Sequence, residues 1–147
     1  MSYIVYTDGS YKPSINPNVS GWGAAIFKIV DGEEVLETVL YGVVTEPTMR
    51  QVDGELEAVK QTISHFEEIN NGKPIEIKII YDYVGVEKWA TSEWKANKPD
   101  TIKYKSYIQE KMKLHKISLE WTKGHAGNTG NEAADRLAGE AIIKYRG

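Results

Sequence analysis

The apolar residues of this chain change period near residue 50, and that change decides which folds are open to it. Before it, YIVY at 3–6 contains strand formers with too little polarity for a half-exposed strand. It predicts a central strand covered on both faces, ended by DGS. GWGAAIFKIV at 21–30 and EEVLETVLYGVV at 33–44 predict two more strands, joined through the hairpin signal DGE. After residue 50, Leu56, Val59, Ile63 and Phe66 form one helical stripe. It predicts a helix over 52–70, stopped by NNGKP. IEIKIIYD then reads as a strand, YVGVEKWA as a short helix and TSEWKANKPD as a lysine-rich loop. A helix over 101–114, a strand at KISLEW and a final helix over 130–145 complete the chain.

The predicted order is β-β-β-α-β-α-α-β-α. Three successive strands fold most simply as an antiparallel meander, and strands separated by helices add in parallel. The expected fold class is α/β: a mixed five-stranded sheet with a three-strand antiparallel meander and helices on both faces. With 147 residues and no internal repeat or linker, a single domain over 1–147 is expected. The chain has no cysteine, so disulfides and thiolate metal ligands are excluded. No signal peptide and no apolar run of membrane-spanning length is visible, which predicts a cytoplasmic protein with no membrane partner.

Formal net charge is -3, but it is unevenly spread. Residues 88–123 carry nine lysines against four acids, a local charge of +5, so the remainder carries -8. A positive region beside an acidic one suits a phosphate backbone held against a metal cluster, although a solvated lysine-rich surface explains the lysines equally simply.

Four acids have a reason to meet. Asp8 and Asp82 are each expected at the carboxyl end of a central strand, where open α/β sheets gather ligands. Glu55 lies about 60° from the centre of the helical stripe, whereas Glu57 lies about 140° away and reads as solvated, pairing with Lys60. Asp135 borders the apolar side of the last helix, beside Ala134, Leu137 and Ala138. Each alone also reads as an ordinary turn or helix-terminus acid. Together they would repel strongly unless cations offset the charge. Oxygen ligands without sulfur favour Mg²⁺, with Mn²⁺ as a plausible substitute. His65, His115 and His125 lack zinc-ligand spacing, and His65 and His115 are expected at the surface.

Five stretches carry a family resemblance: YTDGSY at 6–11, GWGAAI at 21–26, MRQVDGELEAV at 49–59, IIYDYVGVEKW at 79–89 and KGHAGNTGNEAADRLA at 123–138. The ordered set resembles type 1 ribonuclease H, in the short bacterial form without an N-terminal hybrid-binding domain. The resemblance implies a ribonuclease H-like fold and an endonuclease that hydrolyses the RNA strand of RNA–DNA hybrids. Two Mg²⁺ ions would be held by Asp8, Glu55, Asp82 and Asp135, and the products would be 5′-phosphate and 3′-hydroxyl ends. His125, in the glycine-spaced loop, would transfer a proton or assist product release.

Substrate contacts are expected from Gly9, Ser10, Arg50, Gln51, Asp53 and Gly54, reading the 2′-hydroxyls of one strand. Trp89, Trp94, Lys95 and Lys98 would face the DNA strand, with core packing an even alternative for Trp89. Such binding would weaken with salt. Gln51 and Asp53 stand where relatives often carry asparagine and alanine, and Asp82-Tyr83 where many carry DS. The family default is a monomer with no obligate protein partner. Two rivals share much of this pattern: a two-metal nuclease with another nucleic-acid substrate, and a catalytically silent binding module.

Overall fold

The computed structural model describes residues 2–123 and 129–146. Five strands form one sheet: β1 (Tyr3–Ser10), β2 (Val19–Val30), β3 (Glu33–Thr45), β4 (Glu76–Tyr81) and β5 (Lys116–Trp121). Four helices accompany them: α1 (Gln51–Ile69), α2 (Gly85–Ala90), α3 (Pro99–Leu114) and α4 (Thr129–Lys144). The strand order is β3-β2-β1-β4-β5, with β1, β2 and β3 antiparallel and β4 and β5 added in parallel. The expected element order and mixed sheet are therefore present.

Local chemistry explains the elements. Asp31 and Gly32 turn the chain between β2 and β3 with φ of 51° and 79°. Two successive positive φ values twist a two-residue hairpin in the same sense as its strands, and Asp-Gly tolerates them. Alternation along β1 then feeds two layers. Val5 joins Ala24, Ile26, Ile77 and Ile79 under Leu56, Val59, Ile63 and Phe66 of α1. Tyr6 and Ile80 point the other way and meet Ala134 of α4. Each fully buried aliphatic side chain of these layers contributes roughly 1.5–3 kcal/mol.

Both helices approach the sheet closely at Gly21. A Cβ there would collide with the carbonyl oxygen of Ala138, and a Cβ on Gly54 would collide with the carbonyl oxygen of Gly21 itself. The missing side chains thus set the depth at which α1 and α4 lie on the sheet.

Two expectations need correction. DGS does not end β1: pairing with β2 continues to Ser10 opposite Gly21. Nor is His115 at the surface. It is buried, its Nδ1 accepts the Ile75 N–H at 3.1 Å, and its Nε2 lies 2.7 Å from Glu67 Oε2. The ring satisfies a backbone donor at the start of β4, and Glu67 is held in turn by Lys111 at 2.8 Å. His65 is half-buried and packs edge-on against Phe66. Among the described residues, no helix is long and apolar enough to cross a membrane.

Candidate active site

The site arises where the sheet loses a strand. Parallel pairing of β1 with β4 ends at Tyr6 opposite Ile80, while β1 runs on beside β2. Two residues further along each chain stand Asp8 and Asp82, which are thereby level with one another. Asp8 lies within a strand rather than at its end, and Asp82 follows the last residue of β4.

Glu55 comes from the other direction, on the first turns of α1, where Gly54 seats the helix against Gly21 and Gly9. One carboxylate oxygen each from Asp8, Glu55 and Asp82 lies within 4.8 Å of the others. The Gly9 N–H donates to both Asp8 Oδ1, at 2.8 Å, and Glu55 Oε1, at 3.0 Å. Glu55 Oε2 is buried and receives no hydrogen bond.

Alanine at 54 would force α1 away from β2 or distort the strand. We expect Gly54→Ala to cost about 1–3 kcal/mol and to reduce activity by displacing Glu55. Thermal denaturation alongside a cleavage assay checks this. A variant as stable and as active as wild type would show that α1 can back away without harm.

Burial is the leading cause of a raised pKa at both inner carboxyls. Asp8 is pushed up to about 6, with the charges of Asp82 and Asp135 adding to the effect and the adjoining Glu55 carboxyl and the Gly9 N–H opposing it. Glu55 is raised well above the usual carboxylate range by burial, then by the adjoining Asp8 carboxyl and the charge of Asp82. Among the described residues, no salt bridge neutralises Asp8 or Glu55. Without a cation, both carboxyls favour the protonated form more than ordinary carboxyls do.

The other expected site residues are placed less uniformly. Asp135 is exposed on α4 and lies outside the close group of three, though its charge reaches Asp8. His125 lies outside the described residues. Ser10 is half-buried, and Arg50 and Gln51 are exposed at the start of α1. Arg50 has φ 57°, and its carbonyl accepts the buried Ser20 hydroxyl at 2.5 Å.

Asp53 is turned inward. It is buried, its Oδ2 accepts the Met49 N–H at 2.6 Å, and the charge of Asp100 near it adds to burial in raising its pKa. That geometry fastens the first turn of α1 to Met49 ahead of it instead of presenting the carboxylate outward. Trp89 is buried in the larger apolar cluster. Trp94 is half-buried against it, with ring centroids 5.5 Å apart, so its place in polar loop sequence hid a packing role. Lys95 and Lys98 are exposed. With Arg50, Tyr83 and Trp89 they line an open groove of about 350 Å³. Trp22, between Gly21 and Gly23 of β2, is buried.

Sequence similarity agrees with this arrangement. A family profile described as RNase H matches residues 1–143. The chain is 35% identical to the ribonuclease H of Francisella tularensis subsp. novicida, over 98% of this chain and 93% of that protein. The chain belongs to the ribonuclease H family. It is therefore a nuclease, and membership implies dependence on a divalent metal, which the buried acidic triad can hold.

Solved ribonuclease H structures share its fold. RNase H1 of the halophilic archaeon Halobacterium salinarum NRC-1 superposes with a TM-score of 0.77 at 21% identity, covering 99% of this chain and 100% of that one. LC11-RNase H1, solved in complex with an RNA/DNA hybrid, gives 0.75 at 20% identity, covering 97% of each chain.

Two neighbours of the triad escaped the sequence reading. Tyr83 stands close enough to Glu55 for that charge to help raise its pKa, after burial. Trp121, at the end of β5, donates its indole N–H to the Asp82 carbonyl at 2.9 Å. A period-2 pattern shows which side of the sheet such residues occupy, but not which backbone atom they reach.

Proposed function

We propose that this chain cleaves the RNA strand of an RNA–DNA hybrid at the Asp8, Glu55 and Asp82 cluster. Asp135 would complete a site for two Mg²⁺ ions, with Mn²⁺ able to substitute. The observation that carries the reading is the convergence of three carboxylates, one of which keeps a buried oxygen with no hydrogen-bond donor. A buried acceptor left without a donor is costly, and a hard divalent cation is the partner that suits an all-oxygen set. The residues present therefore fit the metal.

Bound there, divalent cations supply charge neutralisation at the scissile phosphate and make water nucleophilic near neutral pH. The chain's own groups do the rest. Gly9 fixes the inner oxygens of Asp8 and Glu55, so the acceptors are preorganised before substrate arrives. Asp82 closes the group from β4. Asp135, on the exposed side, would join when substrate is bound. Water adds to phosphorus, and the bond to the 3′ oxygen breaks. The fragments carry a 5′-phosphate and a 3′-hydroxyl.

His125 would hand a proton to the departing oxygen or help the product leave. His125→Ala is then expected to slow turnover by about ten- to a hundredfold, much less than Asp8→Asn. Steady-state rates of the two variants check that order, and equal, complete loss in both would refute it.

Hybrid is the substrate favoured by the surroundings of the cluster. Gly9, Ser10, Gln51 and Gly54 lie around the carboxylates, where a ribose strand would pass. The groove lined by Arg50, Lys95 and Lys98 offers cations to the phosphates of a second strand. Trp94 would support that groove at its edge, with Trp89 beneath it. Asp53 would act by holding α1 in place. The whole chain, 1–147, would work as one domain and as a monomer in the cytoplasm.

A four-substrate panel tests the reading: RNA–DNA hybrid, duplex RNA, duplex DNA and single strands, each with and without Mg²⁺. Cleavage confined to the RNA of the hybrid, and only with the metal, is expected. Cleavage of duplex DNA instead would assign the same carboxylates to another two-metal nuclease.

A further inference from the structure

We infer that Trp121 is a positioning residue for the metal site, acting through the backbone of Asp82. The inference rests on the reading of the acidic cluster given above. The last rung between β4 and β5 pairs Tyr81 with Trp121, and the Thr122 N–H donates to the Tyr81 carbonyl at 2.8 Å. The chain then bends at Asp82. The Trp121 indole N–H crosses from β5 to the Asp82 carbonyl, 2.9 Å away. The bend that aims the third carboxylate at Asp8 and Glu55 is thus anchored from the neighbouring strand.

The indole is poorly explained by burial. It is 52% exposed and stands outside both apolar clusters. An aromatic ring so placed gains little from the core, whereas its N–H makes a bond 39 residues away in sequence. Asp82 needs such an anchor more than its partners do. Asp8 lies within a strand paired with β2, and Glu55 is carried by a helix. Asp82 belongs to neither a strand nor a helix. Groups that orient metal ligands from behind support metal affinity as well as ligand geometry.

The test measures metal binding, not cleavage. Mn²⁺ is titrated calorimetrically into wild type, into Trp121→Phe, and into protein carrying benzothienylalanine at 121. The last keeps the bicyclic shape and replaces the N–H with sulfur. Both substitutions are expected to weaken Mn²⁺ binding by about three- to tenfold, on the scale of one hydrogen bond, with the protein still folded in chelator and its melting temperature lowered by no more than a few degrees. Benzothienylalanine binding Mn²⁺ as tightly as wild type would overturn the inference, because ring shape would then suffice. It serves equally if Trp121→Phe fails to fold. A wild type that binds no Mn²⁺ would overturn the reading of the cluster, and this inference with it. Normal wild-type binding with both constants unchanged would overturn the inference alone.

Discussion

Asp8→Asn is expected to lower Mg²⁺-dependent hybrid cleavage by at least about a thousandfold while leaving the fold intact. Asparagine has nearly the shape of aspartate and can still accept the Gly9 N–H that Asp8 Oδ1 receives at 2.8 Å. What it lacks is the charge. Metal ions contribute several kcal/mol of charge stabilisation to such a reaction, and about 1.4 kcal/mol is a factor of ten in rate. Losing the central ligand should forfeit most of that sum. Glu55→Gln and Asp82→Asn should behave alike, because their oxygens lie in the same group. Asp135→Asn should lose less, since that residue is exposed and stands apart from the three. Single-turnover cleavage under saturating Mg²⁺, with circular dichroism to confirm folding, provides the comparison. Retention of a tenth of the wild-type rate by a folded Asp8→Asn protein would remove Asp8 from the metal site.

Much of this site could be read in advance because it depends on local pattern. The stripe through Leu56, Val59, Ile63 and Phe66 fixes the rotation of α1, and rotation alone separates Glu55 from Glu57. Glu55 is buried, and Glu57 is half-buried beside Lys60, 3.9 Å away. The apolar run before Asp82 likewise announces a strand that delivers it.

What could not be read depends mainly on partners distant in sequence. β1 continues past Asp8 because β2 stays beside it, and no residue within DGS encodes that pairing. His115 has charged neighbours in sequence, yet its ring completes the hydrogen bonding of Ile75, 40 residues earlier. Asp53 sits in a segment expected to touch substrate, and the Met49 N–H draws its carboxylate inside. Trp94 looked like a surface residue from its loop, but Trp89 and Tyr83 give it something to pack on. Except at Asp53, a tertiary contact outweighed a correct local preference.

The same carboxylates should make the metal-free protein less stable than it need be. Asp8 holds its proton up to about pH 6 in the folded chain, against an ordinary value of 3.8. A carboxyl whose folded pKa is raised contributes stability while it is protonated. That contribution is lost as pH rises from the unfolded value through the folded one. For Asp8 the window runs from about pH 4 to pH 6, and the loss at neutral pH is about 3 kcal/mol at most. Glu55 is shifted in the same direction, so its loss adds to that of Asp8. Asp8→Asn removes one charge and relieves its neighbours. In chelator at pH 7.5 it should therefore be more stable than wild type by about 2–3 kcal/mol, and the advantage should shrink toward pH 5. Adding Mg²⁺ should close the gap from the other side, because a ligand at a hundred times its Kd stabilises the wild type by about 2.7 kcal/mol. Urea denaturation at the two pH values, with and without metal, measures all three effects. A wild type as stable as Asp8→Asn in chelator at pH 7.5 would mean that the cluster carries no repulsion for a cation to relieve.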